Sequence, residues 1–245
     1  MGYGYGYGYG FYGYYFQYLL FMLPAIILVL WAQWLVKSRY KKYSGITTSL
    51  RVTGKEMAER ILKANGISNI SVARISGQMT DNFNPKAGTI FLSDGVYDST
   101  SIAAVGIAAH EAGHAVVMHA VEHATGYFPI KVRTAIVPVC NIGAGFGLPL
   151  CVLGCIFAFE PLVYIGLILF SLATVFQLVT LPVEFNASRR ALAFIESSDL
   201  ISRDEYVGAK KMLTAAAMTY VAALAQSMLQ LLFYVIRFTG NERRK

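Results

Sequence analysis

The sequence predicts a mainly α-helical membrane protein with about four transmembrane helices and a small α+β element between the first and the second. Hydrophobic residues make up 56% of the 245 residues and charged residues 14%, whereas a soluble domain has about 45–50% apolar and about 25% charged residues. The apolar residues also form blocks, several of which reach the roughly 20 residues that a helix needs to cross a bilayer. These observations exclude a purely soluble protein.

Lysine and arginine exceed aspartate and glutamate by 21 to 14, but this excess does not predict binding to nucleic acid. The basic residues are dispersed, and no zinc-finger, helix-turn-helix or RNA-recognition motif accompanies them. They instead predict membrane topology, because lysine and arginine are enriched in cytoplasmic loops. The three cysteines lie in one apolar block without C-x-x-C spacing, which favours neither disulfides nor a thiolate metal site.

Residues 1–16 are rich in glycine and tyrosine and are predicted to form a flexible tail, because alternating glycines lose much backbone entropy on ordering. The first transmembrane helix is predicted at residues 17–36, which are uncharged and largely apolar. It ends at a basic cluster that starts with Lys37 and Arg39. By the positive-inside rule, this cluster places the N-terminus outside and the following region in the cytoplasm.

Residues 37–136 are more polar and are predicted to form the cytoplasmic α+β element. Two short strands are expected at Ile70–Ile75 and Thr89–Leu92, with a polar, turn-rich stretch between them. A helix is expected to begin at the hydroxyl cluster Ser99–Ser101, any residue of which could cap it. Its alanine-rich sequence continues to about Ala124.

The second half of the chain contains two further apolar regions. Residues 137–183 are predicted to form a hairpin of transmembrane helices 2 and 3, and residues 184–211 a more polar segment and loop. The fourth transmembrane helix is predicted at residues 212–238, before a basic tail at residues 239–245. Small residues spaced by four predict close helix packing in the hairpin; they are Gly143, Gly147, Cys151 and Cys155.

Residues 110–114 read His-Glu-Ala-Gly-His, which fits the pattern H-E-x-x-H within the predicted alanine-rich helix. Residues four apart on a helix lie about 40° apart around its axis, so His110 and His114 can bind one metal ion. Glu111 would then face the water on that ion and act as its general base. Without a metal, an apolar helix would bury these ionisable groups without compensation. The motif therefore predicts a catalytic zinc site.

A catalytic zinc ion usually has three protein ligands and one open position, so another ligand is expected elsewhere in the chain. His119 and His123 would lie on the opposite side of the helix from the ligand pair. The acidic residue best placed, at the end of a membrane span, is Glu184. On spacing alone, an ion pair between Glu184 and a nearby arginine is an alternative, and Glu160 and Glu205 are weaker ligand candidates.

With these residues in view, the chain resembles the YugP-like family of bacterial membrane zinc metallopeptidases. The resemblance extends from about Tyr14 to Arg237 and rests on motifs that occur in the same order. It implies a zincin-like α+β element and a zinc ion bound by His110, His114 and Glu184. The motifs are Leu30-Trp31-Ala32-Gln33, Thr80–Pro85, Leu92–Tyr97, Ala108–Ala115, Gly126–Pro129, Leu181–Phe185 and Ala187–Ala191.

More distantly, the chain is similar to HtpX and the CAAX prenyl proteases. In that group an aspartate four residues after the glutamate ligand supports a zinc-bound histidine, whereas this chain has Ser188 at that position. In the same group an edge strand before the metal helix binds the substrate backbone. This analogy implies that Asp81, Asn82 and Phe83 contact the substrate, and a polar hairpin connection is the alternative.

Together these features predict a multi-pass zinc metallopeptidase of the bacterial inner membrane, with its active site facing the cytoplasm. The expected cofactor is Zn²⁺, and the expected partners are a peptide or membrane-protein substrate and the lipid bilayer, but no nucleic acid. One alternative is a site-2-like intramembrane protease, although the Asp94-Gly95 pair precedes the zinc motif instead of following it. Another is a non-catalytic membrane scaffold or chaperone that retains a zinc site, but the intact Glu111 argues against it.

Overall fold

The computed structural model describes residues 7–122, 140, 143, 145–154, 156–157 and 159–242. Most of these residues are helical, and a small sheet lies between the second and third helices in the sequence. In chain order the elements are α1 (Tyr7–Ser44), α2 (Gly54–Ala64), β1 (Ser71–Ile75), β2 (Asn82–Asn84), β3 (Thr89–Ser93), α3 (Asp94–Tyr97), α4 (Ile102–Glu122), α5 (Gly145–Gly154), α6 (Glu160–Ser197) and α7 (Arg203–Glu242).

Three of the described helices, α1, α6 and α7, are long and apolar enough to cross a membrane. In their most apolar windows only 17%, 22% and 28% of the residues are buried, so lipid is needed to cover the remaining apolar surface. Three of the four predicted spans therefore coincide with helices whose length and composition suit a membrane crossing. The second of the four predicted spans begins at Val137, and several of its residues lie outside the described ones. Its described part contains the shorter apolar helix α5.

The long helices extend beyond the spans that the sequence predicted. Helix α1 begins at Tyr7, inside the segment predicted to be a flexible tail, because an existing helix gains one hydrogen bond for each residue that it adds. Helix α6 continues past Pro182 and ends only at Ser197, so it includes much of the predicted loop. Glu184 consequently lies within a helix, which fixes the direction of its side chain more firmly than a loop would.

The chain divides into two compact units. Each of the long helices α1, α6 and α7 contributes one part to each unit. Unit 1 comprises Met1–Ala32, Val137–Gln177 and Tyr220–Lys245, and unit 2 comprises Gln33–Ile136 and Leu178–Thr219.

In unit 1, the segment around α5 packs closely against the first part of α6. A Cβ atom added at Gly143 would lie 2.3 Å from the carbonyl oxygen of Leu169, and one added at Gly154 would lie 2.7 Å from the backbone nitrogen of Val163. These pairings show that the two segments run antiparallel. They agree with the packing of small residues that the sequence predicted, although Cys155 lies outside the described residues.

Unit 2 contains a sheet of three strands with β3 in its centre. Strand β1 pairs with β3 in parallel and β2 pairs with β3 antiparallel, so β2 is an edge strand. Both strands predicted from hydrophobicity are present, and β2 lies in the polar stretch between them. Side chains from the sheet, α2 and α4 share one core, which includes Met57, Ile61, Ile90, Leu92 and Val105.

Helices α4 and α6 pack against each other in unit 2. The hydroxyl of Ser101 accepts a hydrogen bond from the backbone N–H of Ala104 and so caps α4, as one of the residues predicted for this role. Further along, Gly113 approaches α6 so closely that an added Cβ would lie 2.5 Å from the carbonyl oxygen of Ala187. Only glycine at this position therefore allows the two backbones to approach each other so closely.

We expect Gly113→Ala to destabilise unit 2, because the added methyl group would force the backbone of α4 away from α6. Overpacking of this kind costs about 1–3 kcal/mol of unfolding free energy. The matched control is Gly106→Ala on the same helix, where the added Cβ meets no atom closer than 3.5 Å. That variant should be neutral or gain up to about 1 kcal/mol through helix propensity. Equal unfolding temperatures of the two variants in detergent would contradict the close approach.

Candidate metal centre

Three polar side chains converge between α4 and α6 within unit 2. His110 and His114 lie one turn apart on α4, and Glu184 lies on the facing side of α6. The carboxyl side chain of Glu184 is only 3% exposed, and both histidines are largely buried as well. Burial of ionisable groups among apolar residues is unfavourable unless they bind one another or an ion.

The three ligand atoms form a nearly equilateral triangle. Nε2 of His110 and Nε2 of His114 are 3.1 Å apart, and Oε2 of Glu184 is 3.2 Å and 3.3 Å from them respectively. A tetrahedral zinc ion with bonds of about 2.0–2.1 Å separates its ligands by about 3.3 Å. The distances and the donor set of two imidazoles and one carboxylate therefore fit zinc without rearrangement.

The ring of His110 is oriented by a further residue of α6. The hydroxyl of Ser188 lies 3.0 Å from Nδ1 of His110, on the other side of the ring from Glu184. With Nε2 directed at the ligand centre, Nδ1 carries the proton, and this N–H group donates a hydrogen bond to the hydroxyl oxygen of Ser188. Ser188 thus occupies the role that the aspartate has in the more distant group. Sequence reasoning noted this position but assigned no partner to the histidine.

Glu111 follows His110 on α4. It is buried, with only 9% of the residue exposed. Its carboxylate forms no hydrogen bond or ion pair with the part of the chain that the structure describes. It is also absent from the cluster of three ligand atoms.

The competing ligand candidates occupy other places. The carboxylate of Glu205 accepts hydrogen bonds from the N–H and the hydroxyl of Ser49, at 2.6 Å and 2.7 Å, and from the N–H of Ser202. Glu205 therefore anchors the start of α7 to the loop after α1. Glu160 is the first residue of α6 and belongs to unit 1. His119 lies on α4 outside the ligand cluster, and His123 lies outside the described residues.

The three residues with a predicted substrate role lie at or beside β2. Asp81 accepts hydrogen bonds from the N–H and the hydroxyl of Ser93, at 2.7 Å and 3.0 Å. Burial raises the pKa of the Asp81 carboxyl above its usual value, and the bonds from Ser93 oppose this shift. The side chain of Asn82 is exposed, whereas Phe83 packs against the core. Asp81 therefore stabilises the edge strand, and the predicted contacts with substrate stay a prediction.

A peptidase also needs a group that stabilises the oxyanion, for which the sequence offers Arg189, Tyr206 and Tyr127 as candidates. Arg189 and Tyr206 line a cavity of about 480 Å³ between the adjoining parts of α6 and α7 in unit 2. Ser188 lines the same cavity, on the Nδ1 side of His110 and not on the side of the ligand atoms. Tyr127, the other residue considered for this role, lies outside the described residues.

We expect the purified protein to contain one zinc ion per chain and Glu184→Gln to lose most of it, because an amide is a much poorer zinc ligand than a carboxylate. His110→Ala and His114→Ala should have the same effect. The control is Glu196→Gln, which changes an exposed glutamate on the same helix and should retain zinc. The zinc content of each purified variant is measured by mass spectrometry. Full zinc content of Glu184→Gln together with loss from Glu205→Gln would show that the third ligand is wrong.

Comparison with known proteins identifies the family. The chain matches the family described as "Putative neutral zinc metallopeptidase" over residues 18–239. It is 41% identical over 219 residues to the protein of Bacillus subtilis (strain 168) named "Putative membrane protease YugP", which covers 89% of this chain and 95% of the relative. No solved structure matches the chain significantly. Because the family match includes nearly the whole chain, and with it His110, His114 and Glu184, the chain belongs to this family.

Proposed function

We propose that this protein is a membrane-embedded zinc endopeptidase that hydrolyses peptide bonds in membrane-associated substrates. The observation that carries the proposal is the triangle of ligand atoms on α4 and α6. The carboxylate of Glu111 on α4, which has no partner among the described residues, adds to it. Family membership supports the same reaction. The long apolar helices and the name of the Bacillus subtilis relative support the membrane location.

His110, His114 and Glu184 would hold the ion. When bound, zinc would polarise the scissile carbonyl and lower the pKa of a coordinated water. The ligands would be two neutral imidazoles and a single carboxylate. The site loaded with Zn²⁺ would therefore keep a net positive charge, which favours this chemistry. Ser188 would keep the ring of His110 in the orientation that directs Nε2 at the ion.

Glu111 would perform both proton transfers of the reaction. Its carboxylate would accept a proton from the attacking water as the water oxygen bonds to the carbonyl carbon. It would then donate the proton to the nitrogen of the leaving amine while the carbon–nitrogen bond breaks. The burial of Glu111, its position next to His110 on α4 and the lack of a partner for its carboxylate among the described residues support this role.

The edge strand β2 would bind the substrate backbone. Strand β2 pairs with β3 on one side, and it also contacts α4, which carries the ligand pair. A peptide added along the other side of β2 would continue the sheet and run beside the metal helix. Asn82 and Phe83 would then flank the peptide, while Asp81 would hold the strand in place through Ser93.

We infer that the metal centre faces the cytoplasm. The basic residues that follow the apolar part of α1, beginning with Lys37, favour the inner side of the membrane under the positive-inside rule. Lipid would cover the exposed apolar surface of the long helices. Substrates would be peptides or loops of membrane proteins that reach the inner surface.

Glu111→Gln should retain zinc but hydrolyse substrate about 10²–10⁴-fold more slowly, because the amide has a similar shape and cannot accept a proton. Cleavage of casein-derived fluorogenic peptides by protein in detergent measures the rate. The control Glu59→Gln alters an exposed glutamate on α2 and should retain activity. Turnover of Glu111→Gln close to that of the wild type would refute the proposed mechanism.

The membrane orientation can be tested by labelling single cysteines with an impermeant thiol reagent in a cysteine-free background. Cysteines replacing Gly4 and Asn241 should label from outside, whereas a cysteine replacing the exposed Ser76 should label only after the membrane is opened. Labelling at position 76 from outside would invert the assignment. If a cysteine at position 241 did not label from outside, only the membrane crossing by α7 would be contradicted.

A further inference from the structure

Two buried polar atoms near the metal centre lack a hydrogen-bond partner within the described part of the chain. They are Nδ1 of His114 and Oγ1 of Thr180. His114 is 7% exposed and Thr180 is 5% exposed, so bulk water reaches neither side chain freely. Buried polar atoms are almost always paired in folded proteins, which makes two unpaired atoms in the same unit informative.

The hydroxyl of Thr180 differs from most other described hydroxyls of the long helices. Such groups commonly donate to the carbonyl oxygen one turn earlier, and this satisfies them within the helix. Ser171, Thr174 and Thr214 all do so, at 2.7 Å, 3.3 Å and 2.8 Å. Thr180 makes no such bond, so its hydroxyl is available to a group outside α6.

The position of Thr180 on α6 is one turn before Glu184, just as Ser188 is one turn after it. The three residues therefore form a stripe along one face of α6. Helix α4 runs antiparallel to this stripe, because Ser188 contacts His110 whereas Val183 packs against Val117. The stripe consequently extends past Glu184 toward the His114 end of α4, and Thr180 is its next polar residue there.

We propose that Thr180 is the positioning residue of His114, as Ser188 is of His110. The hydroxyl of Thr180 accepts a hydrogen bond from the Nδ1–H group of His114, directly or through one buried water, when Nε2 binds the ion. This inference rests on the proposed function in that it takes His114 to be a zinc ligand. Each histidine would then be oriented by a hydroxyl that lies one turn from the shared ligand Glu184.

A hydroxyl suits these positions for an electrostatic reason. A second carboxylate one turn from Glu184 would place two like charges side by side on one buried helix face. A hydroxyl oxygen can accept the same hydrogen bond from the imidazole N–H group without adding charge. The paired hydroxyls would therefore support both histidines and leave the net positive charge of the loaded site unchanged.

The test compares the zinc affinity of Thr180→Val with that of Thr180→Ser, measured by chelator competition on full-length protein in detergent. Valine keeps the shape of threonine but has no hydroxyl, so zinc should bind about 10–100-fold more weakly. Serine keeps the hydroxyl and should restore most of the affinity. The matched control is Thr174→Val, since the buried hydroxyl of Thr174 is satisfied by its own helix. This control should bind zinc as the wild type does.

A second readout separates positioning from stability. The absorption spectrum of the Co²⁺-loaded protein should change for Thr180→Val and not for Thr174→Val, because it reports the geometry around the ion. The inference would be overturned if Thr180→Val and Thr180→Ser had the same zinc affinity and the same Co²⁺ spectrum. This holds whether both affinities are high or both are low. The proposed function would still stand if Glu184→Gln lost zinc. If Glu184→Gln and His114→Ala both kept zinc, the proposed function would fail as well.

Discussion

The metal centre depends on the close approach of two helix backbones at Gly113. Helices α4 and α6 are far apart in sequence, and no turn or disulfide within the described residues holds them together at this point. Glycine at position 113 lets the carbonyl of Ala187 come within the distance that a side chain would occupy. As a result, Glu184 and Ser188, on either side of Ala187, can both reach the histidines of α4.

This packing also creates an electrostatic problem that binding of a cation would solve. The carboxylate of Glu184 is almost fully buried, and its nearest polar contacts are the two imidazoles. If both Nε2 atoms carry no proton, they and Oε2 of Glu184 direct three lone pairs at one small space. This arrangement is favourable only around a cation. The same residues that are costly for an empty helix interface are therefore well suited to a divalent ion.

The sequence predicted those parts of the site that are local along the chain. His110, Glu111 and His114 follow from the H-E-x-x-H motif together with helical periodicity, and the cap at Ser101 follows from residue type. Glu184 was the best-placed ligand candidate from its position at the end of a span, but its choice over an ion pair or over Glu160 and Glu205 required the family resemblance or the structure, because no local pattern joins residues on different helices. The continuation of α6 past Pro182 was not predicted, since proline usually ends a helix or bends it. The pairing of Ser188 with His110 depends on the antiparallel packing of α4 and α6, which has no signal in a single sequence.

The identity of the atoms around the bound ion tests this picture of the protein most directly. X-ray absorption at the zinc edge, recorded on the purified full-length protein, measures the donor elements and their distances. The predicted result is a first shell of nitrogen and oxygen at about 2.0–2.2 Å, with the outer-shell signals of two imidazole rings and no sulfur. A sulfur donor at about 2.3 Å, or fewer than two imidazoles, would contradict binding by His110, His114 and Glu184.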